Sequence, residues 1–213
     1  MINKEGWPVI FLTGAILLIF TALSTFFNFI LWDALAIILL IVLVFHFFFF
    51  RDPERDTPTG ESLIISPADG HVIKIDEIDE DTYFKTRVRR VSIFLSIFDV
   101  HVNRMPVSGK VDYVAYKKGQ FLAAFADDAS NVNEMSIVGV DTGKGKILFK
   151  QIAGLIARRI IYTVKEGDMA VAGERFGLIR YGSRVDMFFP LTAKIHVKLK
   201  QAVRCGSTII GEF

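Results

Sequence analysis

Two uninterrupted apolar runs open the chain, Trp7 to Phe27 and Ala34 to Phe50, and nothing after residue 50 repeats them. Each is about the length that a helix needs to cross a bilayer. The stretch Asn28 to Asp33 between them is short and polar enough only for a tight turn. Phe47 to Phe50 is apolar all round, which argues against a helix lying on a soluble core. Residues 1–50 are therefore expected to form a transmembrane helical hairpin. A secretory signal is a poorer description, because the apolar region is too long, lacks a small-residue cleavage site and is followed directly by a second span. Lys4 precedes the hairpin, Arg51 and Arg55 follow it, and the turn has neither Lys nor Arg. The positive-inside rule then places both ends, and the domain beyond, in the cytoplasm.

Residues 51–62, charged and broken by Pro53 and Pro58, read as a linker. From residue 63 the period changes to two. Leu63 to Ile65, His71 to Ile75, Val88 to Ile97 and Val107 to Val114 alternate or run as strands, with Gly-containing turns between them. Two stretches have helical spacing instead, Gln120 to Ala129 and Ile152 to Ile161. Residues 63–213 are thus expected to be a mainly β, barrel-sandwich-like domain with one or two short helices. A faint repeat runs through its last part. Val164-Lys165 is followed by Gly173 at the spacing that separates Val197-Lys198 from Gly206, which marks both glycines as turn positions.

Composition sharpens this in three ways. The hydrophobic content of 52% and mean hydropathy of +0.41 are accounted for by the hairpin. A net charge of +2 gives no reason to expect a nucleic-acid partner. Local basic clusters do exist, Lys85-Arg87-Arg89-Arg90 and Arg158-Arg159, and they suit either anionic headgroups or solvated strand edges. The single cysteine, Cys205, excludes a disulfide framework within the chain and suits a reducing compartment. No His, Cys or carboxylate spacing matches a metal motif, so no metal is expected.

Candidate chemistry centres on Gly182-Ser183, a small nucleophile beside an unshielded peptide carbonyl, set between Arg180 and Arg184. On turn chemistry alone such a pair is usually just a turn. The chain has four histidines. His46 lies in the second span and reads as structural or interfacial; His71 and His196 read as surface positions. His101 follows an apolar strand, with Asp99 two residues before it on the same face if the strand continues, so a carboxylate could orient the imidazole. Asp69, in Pro67-Ala68-Asp69-Gly70, is either a turn residue or a second such carboxylate. Spacing sets no order among Ser183, His101, Asp69 and Asp99.

Five blocks occurring in order do. They are Phe50-Arg51-Asp52-Pro53-Glu54-Arg55, Ser66-Pro67-Ala68-Asp69-Gly70, Phe98 to Pro106, Ile152 to Arg159, and Gly173 through Asp186. With them the chain closely resembles the short form of the phosphatidylserine decarboxylase proenzymes from about residue 50 to its end. The resemblance implies a self-processing enzyme. Ser183 would attack the Gly182 carbonyl, and the chain would part into a β chain, 1–182, and an α chain, 183–213, whose first residue becomes a covalent pyruvoyl cofactor. That group would form a Schiff base with phosphatidylserine and release phosphatidylethanolamine. His101 is implied as the base, with Asp69 and Asp99 as orienting residues. A phospholipid substrate, the membrane and the two chains of one proenzyme are the implied partners, with a homo-oligomer left open. Longer relatives carry a second histidine where Arg104 stands here, and they end the cleavage block in Gly-Ser-Thr, which makes Gly206-Ser207-Thr208 a rival by letters. By position Gly182-Ser183 is the better match. A membrane-tethered, non-enzymatic carrier module, or the same chemistry on another serine-headed lipid, remain alternatives.

Overall fold

The computed structural model describes residues 1–27, 29–126, 128–155 and 159–213. The chain divides into two compact units, Met1–Glu54 and Arg55–Phe213. In the first, a 3-10 turn Lys4–Gly6 leads into α1 (Trp7–Phe27), and α2 (Ile30–Phe49) returns antiparallel to it. Both helices are long and apolar enough to cross a membrane, and most of their surface is left without protein cover. The second helix begins ahead of the expected Ala34, which places Asp33 in its first turn, where a carboxylate suits the helix dipole. His46 is a structural residue here: its Nδ1 lies 3.1 Å from the Thr13 hydroxyl and joins the two helices.

The second unit is mainly β, as the period-two pattern implied. Its elements are β1 (Leu63–Ile65), β2 (Gly70–Glu80), β3 (Thr86–Leu95), β4 (Val102–Arg104), β5 (Gly109–Lys117), a one-turn helix α3 (Ala129–Val132), β6 (Met135–Asp141), β7 (Lys146–Ala153), β8 (Ile160–Tyr162), β9 (Met169–Ala170), β10 (Arg175–Ile179), β11 (Ser183–Phe189), β12 (Lys194–Ile195), β13 (Ala202–Val203) and β14 (Ile209–Glu212). Eight of these form one curled sheet in the order β13-β2-β3-β11-β7-β6-β5-β9, and two three-stranded sheets, β4-β10-β8 and β1-β14-β12, pack beside it.

β11 is the centre of that sheet. It pairs antiparallel with β3 on one side and β7 on the other, and every residue from Ser183 to Phe189 is buried. Alternation sends Val185, Met187 and Phe189 into the main core with Val91, Ile93, Leu95 and Phe149, while Phe188 joins a smaller cluster with Val88, Leu148 and Ile152 on the opposite face. An unbroken apolar run in mid-sheet therefore reflects burial on both faces. The basic cluster of β3 is matched across the strand pair: Arg90 binds Asp76 through two bonds of 2.9 and 2.6 Å, and Arg89 lies 3.3 Å from Glu77.

The two expected helices are corrected. Ile152 and Ala153 end β7, because pairing with Met135 and with β11 outweighs the helical spacing; Ile156 to Arg158 lie outside the described residues. Of Gln120 to Ala129, only Ala129 enters a helix among the described residues, the short α3. Phe121, Leu122 and Phe125 face solvent instead of a core, so the periodicity had nothing to bury.

Candidate active site

The approach to Ser183 is a sharp reversal between two sheets. β10 ends at Ile179, β11 begins at Ser183, and Tyr181 and Gly182 both take left-handed backbone conformations, with φ of +59° and +69°. Glycine adopts this region freely, whereas a tyrosine there costs about 1–2 kcal/mol. The reversal presents the Gly182 carbonyl to Gly154, where a Cβ would stand 2.4 Å from the Gly182 oxygen. Only glycine leaves that carbonyl uncrowded.

Ser183 is fully buried between Leu95 and Ala153, and its hydroxyl makes no hydrogen bond among the described residues. A buried hydroxyl without a partner is costly and rare, which makes it informative. His101, also fully buried, stands against the preceding peptide: the Gly182 N–H reaches its Nε2 at 3.2 Å, and its Nδ1 lies 2.9 Å from the Asp99 carbonyl oxygen. A carbonyl can only accept and an N–H can only donate. The neutral ring must then carry its proton on Nδ1, with the Nε2 lone pair accepting the N–H of Gly182, the residue before Ser183.

The two aspartates take different positions. On Nδ1 the orienting atom is the main-chain oxygen of Asp99, where the spacing suggested the carboxylate. Residues 96–99 form a turn and not a continued strand, and the Asp99 carboxylate closes it by accepting the Ser96 N–H at 2.8 Å. Asp69 accepts from Arg55 at 2.8 Å and from the Cys205 N–H at 2.7 Å, so it joins the start of the unit to the turn before β14. The Cys205 thiol is pushed well above its ordinary range, chiefly by burial and then by the charge of Asp69. It bonds to the carbonyls of Pro67 and Val102 at 3.2 and 3.4 Å, which makes it an inert packing group.

Sequence reading missed a buried amide relay behind the histidine strand. The Ser136 hydroxyl donates to Gln151 at 2.7 Å, the Gln151 amide to Asn103 at 2.8 Å, and the Asn103 amide to the Pro67 carbonyl at 3.2 Å. It couples β6, β7 and β4 to the Asp69 turn. The available signal was Gln151, a polar residue inside an otherwise buried strand. Arg104, where longer relatives carry histidine, is a buried support: its guanidinium donates to the Gly173 carbonyl at 2.9 Å. Gly206, the rival, sits at a turn with φ +73°, and a Cβ there would meet the Arg104 side chain at 2.8 Å. His71 and His196 are exposed.

Residues 42–211 match the family model described as phosphatidylserine decarboxylase. The chain is 46% identical over 213 residues to the phosphatidylserine decarboxylase proenzyme of Syntrophus aciditrophicus, covering 100% of this chain and 97% of that one. It is 42% identical to the proenzyme of Symbiobacterium thermophilum, covering 99% and 95%, and 41% identical to that of Magnetococcus marinus, covering 99% and 94%. The chain belongs to the phosphatidylserine decarboxylase family. It is accordingly a decarboxylase, and the carrier-module alternative is set aside. His101 and Gly154 both meet Gly182, the first at its N–H and the second at its carbonyl oxygen.

Proposed function

We propose that this chain cleaves itself between Gly182 and Ser183 and, once processed, converts phosphatidylserine to phosphatidylethanolamine. The observation that carries the reading is the buried, unpartnered Ser183 hydroxyl next to a peptide whose N–H rests on His101 Nε2. A serine hydroxyl is a weak nucleophile and needs a base within reach. His101 supplies the lone pair, exchanging the Gly182 N–H for the Ser183 O–H. The oxygen attacks the Gly182 carbonyl carbon, the C–N bond breaks, and the serine nitrogen takes the proton, leaving an ester. Loss of the Ser183 Cα proton then expels the Gly182 carboxylate by β-elimination. The resulting enamine tautomerises to an imine, and one water converts this to the pyruvoyl group and ammonia. Scission also relieves the left-handed Tyr181.

The residues fit the pyruvoyl group, because Ser183 is its precursor and β3 and β7 hold its backbone on both sides. When present, the group supplies an electron sink for loss of carbon dioxide from an amine-bearing substrate. His101, held by Asp99, is the residue placed to move a proton at that carbon. The apolar hairpin holds the enzyme in the membrane, with Lys4 and Arg51 on the cytoplasmic side.

The test is intact mass of the purified full chain together with carbon dioxide release from phosphatidylserine. The expected products are a large fragment ending at Gly182 and a small one of about 3.5 kDa, residues 183–213 of a 24.0 kDa chain, without a free N-terminal amine. A single uncleaved chain, or a fragment of only the few residues after Gly206, sinks the reading. Ser207→Ala is expected to split normally.

Gly154→Ala offers a sharper probe of the geometry. Its methyl would overlap the Gly182 oxygen and push the scissile carbonyl out of line. Uncleaved chain should accumulate on a denaturing gel, with cleavage slowed at least ten-fold while the protein still melts cooperatively. Cleavage at the parental rate would remove Gly154 from the machinery.

A further inference from the structure

The site is ringed by large apolar side chains turned to solvent. Phe98 is 64% exposed, Phe125 67% and Leu155 68%, with Leu122 partly exposed beside them. Each lies one or two residues from an atom at the scissile peptide. Phe98 follows Ile97, whose Cγ2 is 3.9 Å from where a Cβ on Gly182 would stand. Leu155 follows Gly154, and Phe125 follows Ala124, whose Cβ is 3.2 Å from the corresponding position on Gly154. Other exposed apolar side chains among the described residues of the unit include Tyr116, Met169, Val171, Leu191 and Leu199.

The rim is held outward. Asn133, fully buried, binds both the N–H and the carbonyl of Leu122, at 2.9 and 2.8 Å, and donates to the Ala153 carbonyl at 2.7 Å. Arg184, locked to Asp186 at 2.6 Å and to the Ser92 hydroxyl at 2.9 Å, donates to the Ala126 carbonyl at 3.4 Å. Phe125 rests edge-on against Phe94, with ring centroids 6.1 Å apart. The backbone at Leu122 and Ala126 is thus fixed by two buried polar residues.

We propose that this rim, Phe98, Leu122, Phe125 and Leu155, is a membrane-docking surface that seats the reactive bond on a phospholipid bilayer. The inference rests on the proposed function, and two further features select a bilayer over a protein partner. Arg159, four residues after Leu155, is exposed, and its carbonyl accepts the Arg180 N–H at 3.3 Å. Its backbone is thus tied to a strand end two residues from Gly182, and it adds an exposed cation to the segment that carries the rim, as a phosphate-bearing surface requires. The chain also leaves the apolar helix at Phe49 and enters the second unit at Arg55, a reach of about 20 Å at most when extended. A lipid could then present its headgroup to the site while its acyl chains stay in the membrane.

The test uses the full chain in vesicles of phosphatidylcholine and phosphatidylserine. Phe98→Cys, Phe125→Cys and Leu155→Cys are each labelled with an environment-sensitive fluorophore, with Met169→Cys on the edge strand β9 as the control. Native Cys205 is buried and does not compete for the label. Quenching by lipids brominated on their chains is expected at 98, 125 and 155 and not at 169. Equal quenching at all four positions, or at none, overturns the proposal. In a second arm, Phe98→Ser with Phe125→Ser should lower turnover of vesicle phosphatidylserine at least ten-fold more than turnover of soluble dihexanoyl phosphatidylserine. An equal effect on both substrates also overturns it. Failure of the proposed function looks different: the parent chain would stay uncleaved and inactive even on the soluble lipid, whatever the quenching pattern.

Discussion

Ser183→Ala is expected to yield one unsplit chain of 24.0 kDa with no decarboxylase activity. The attacking atom is gone, and so is the precursor of the prosthetic group, so both effects should be complete. What makes the experiment clean is the environment of the lost oxygen. The Ser183 hydroxyl is buried and accepts or donates no hydrogen bond among the described residues. Its removal therefore breaks nothing, and it relieves a buried unsatisfied group that costs about 1–3 kcal/mol. The backbone stays paired with Leu95 and Ala153. The variant should accordingly melt at or above the temperature of an otherwise uncleaved chain. Intact mass, carbon dioxide release and a thermal melt on one preparation check all three statements. Splitting at the native position in this variant would exclude Ser183 as the nucleophile.

The pattern that was legible from sequence is the pattern made by burial. Strands such as β3 and β11 carry their period or their apolar run in plain letters because neighbours cover their faces, and the hairpin stands out because lipid-length runs do. The segment from Gln120 to Ala126 was misread for the complementary reason. Its helical spacing is real, but the competing forces are Asn133 and Arg184, far apart in sequence, which fix its backbone in an irregular path. Side-chain roles followed the same division. Ser183 and His101 could be named from ordered motifs, and His101 stands on the N–H of the residue before Ser183. Asp99 was legible as a partner of His101 but not the atom used, because the choice between carboxylate and carbonyl depends on the turn at 96–99. The relay from Ser136 to Pro67 and the contact of Gly154 with the Gly182 carbonyl join residues from separate strands, and no local spacing announces them.

His101→Ala should slow self-cleavage by about 10²–10⁴-fold, the range expected for loss of a positioned general base. Uncleaved chain would then dominate the purified protein. A structural explanation must be separated from this one, since the imidazole also satisfies the Gly182 N–H and the Asp99 carbonyl inside the core. Leaving both unpaired costs stability, and a loosened Gly182 peptide could by itself misplace the scissile carbonyl. Two measurements divide the cases. Added imidazole can enter the cavity left by the missing ring and restore a basic lone pair there, so cleavage of the purified variant should recover with imidazole concentration and should do so better at a pH where the added base is neutral. His101→Gln restores polar contacts to both groups without a comparably basic atom, and it should regain stability while staying uncleaved. If the glutamine variant cleaves at the parental rate, the histidine acts only as a support and the base lies elsewhere. If imidazole rescues the alanine variant and glutamine does not, the proton leaves Ser183 through the His101 Nε2 lone pair, which the bond from Nδ1 to the Asp99 carbonyl keeps free of a proton.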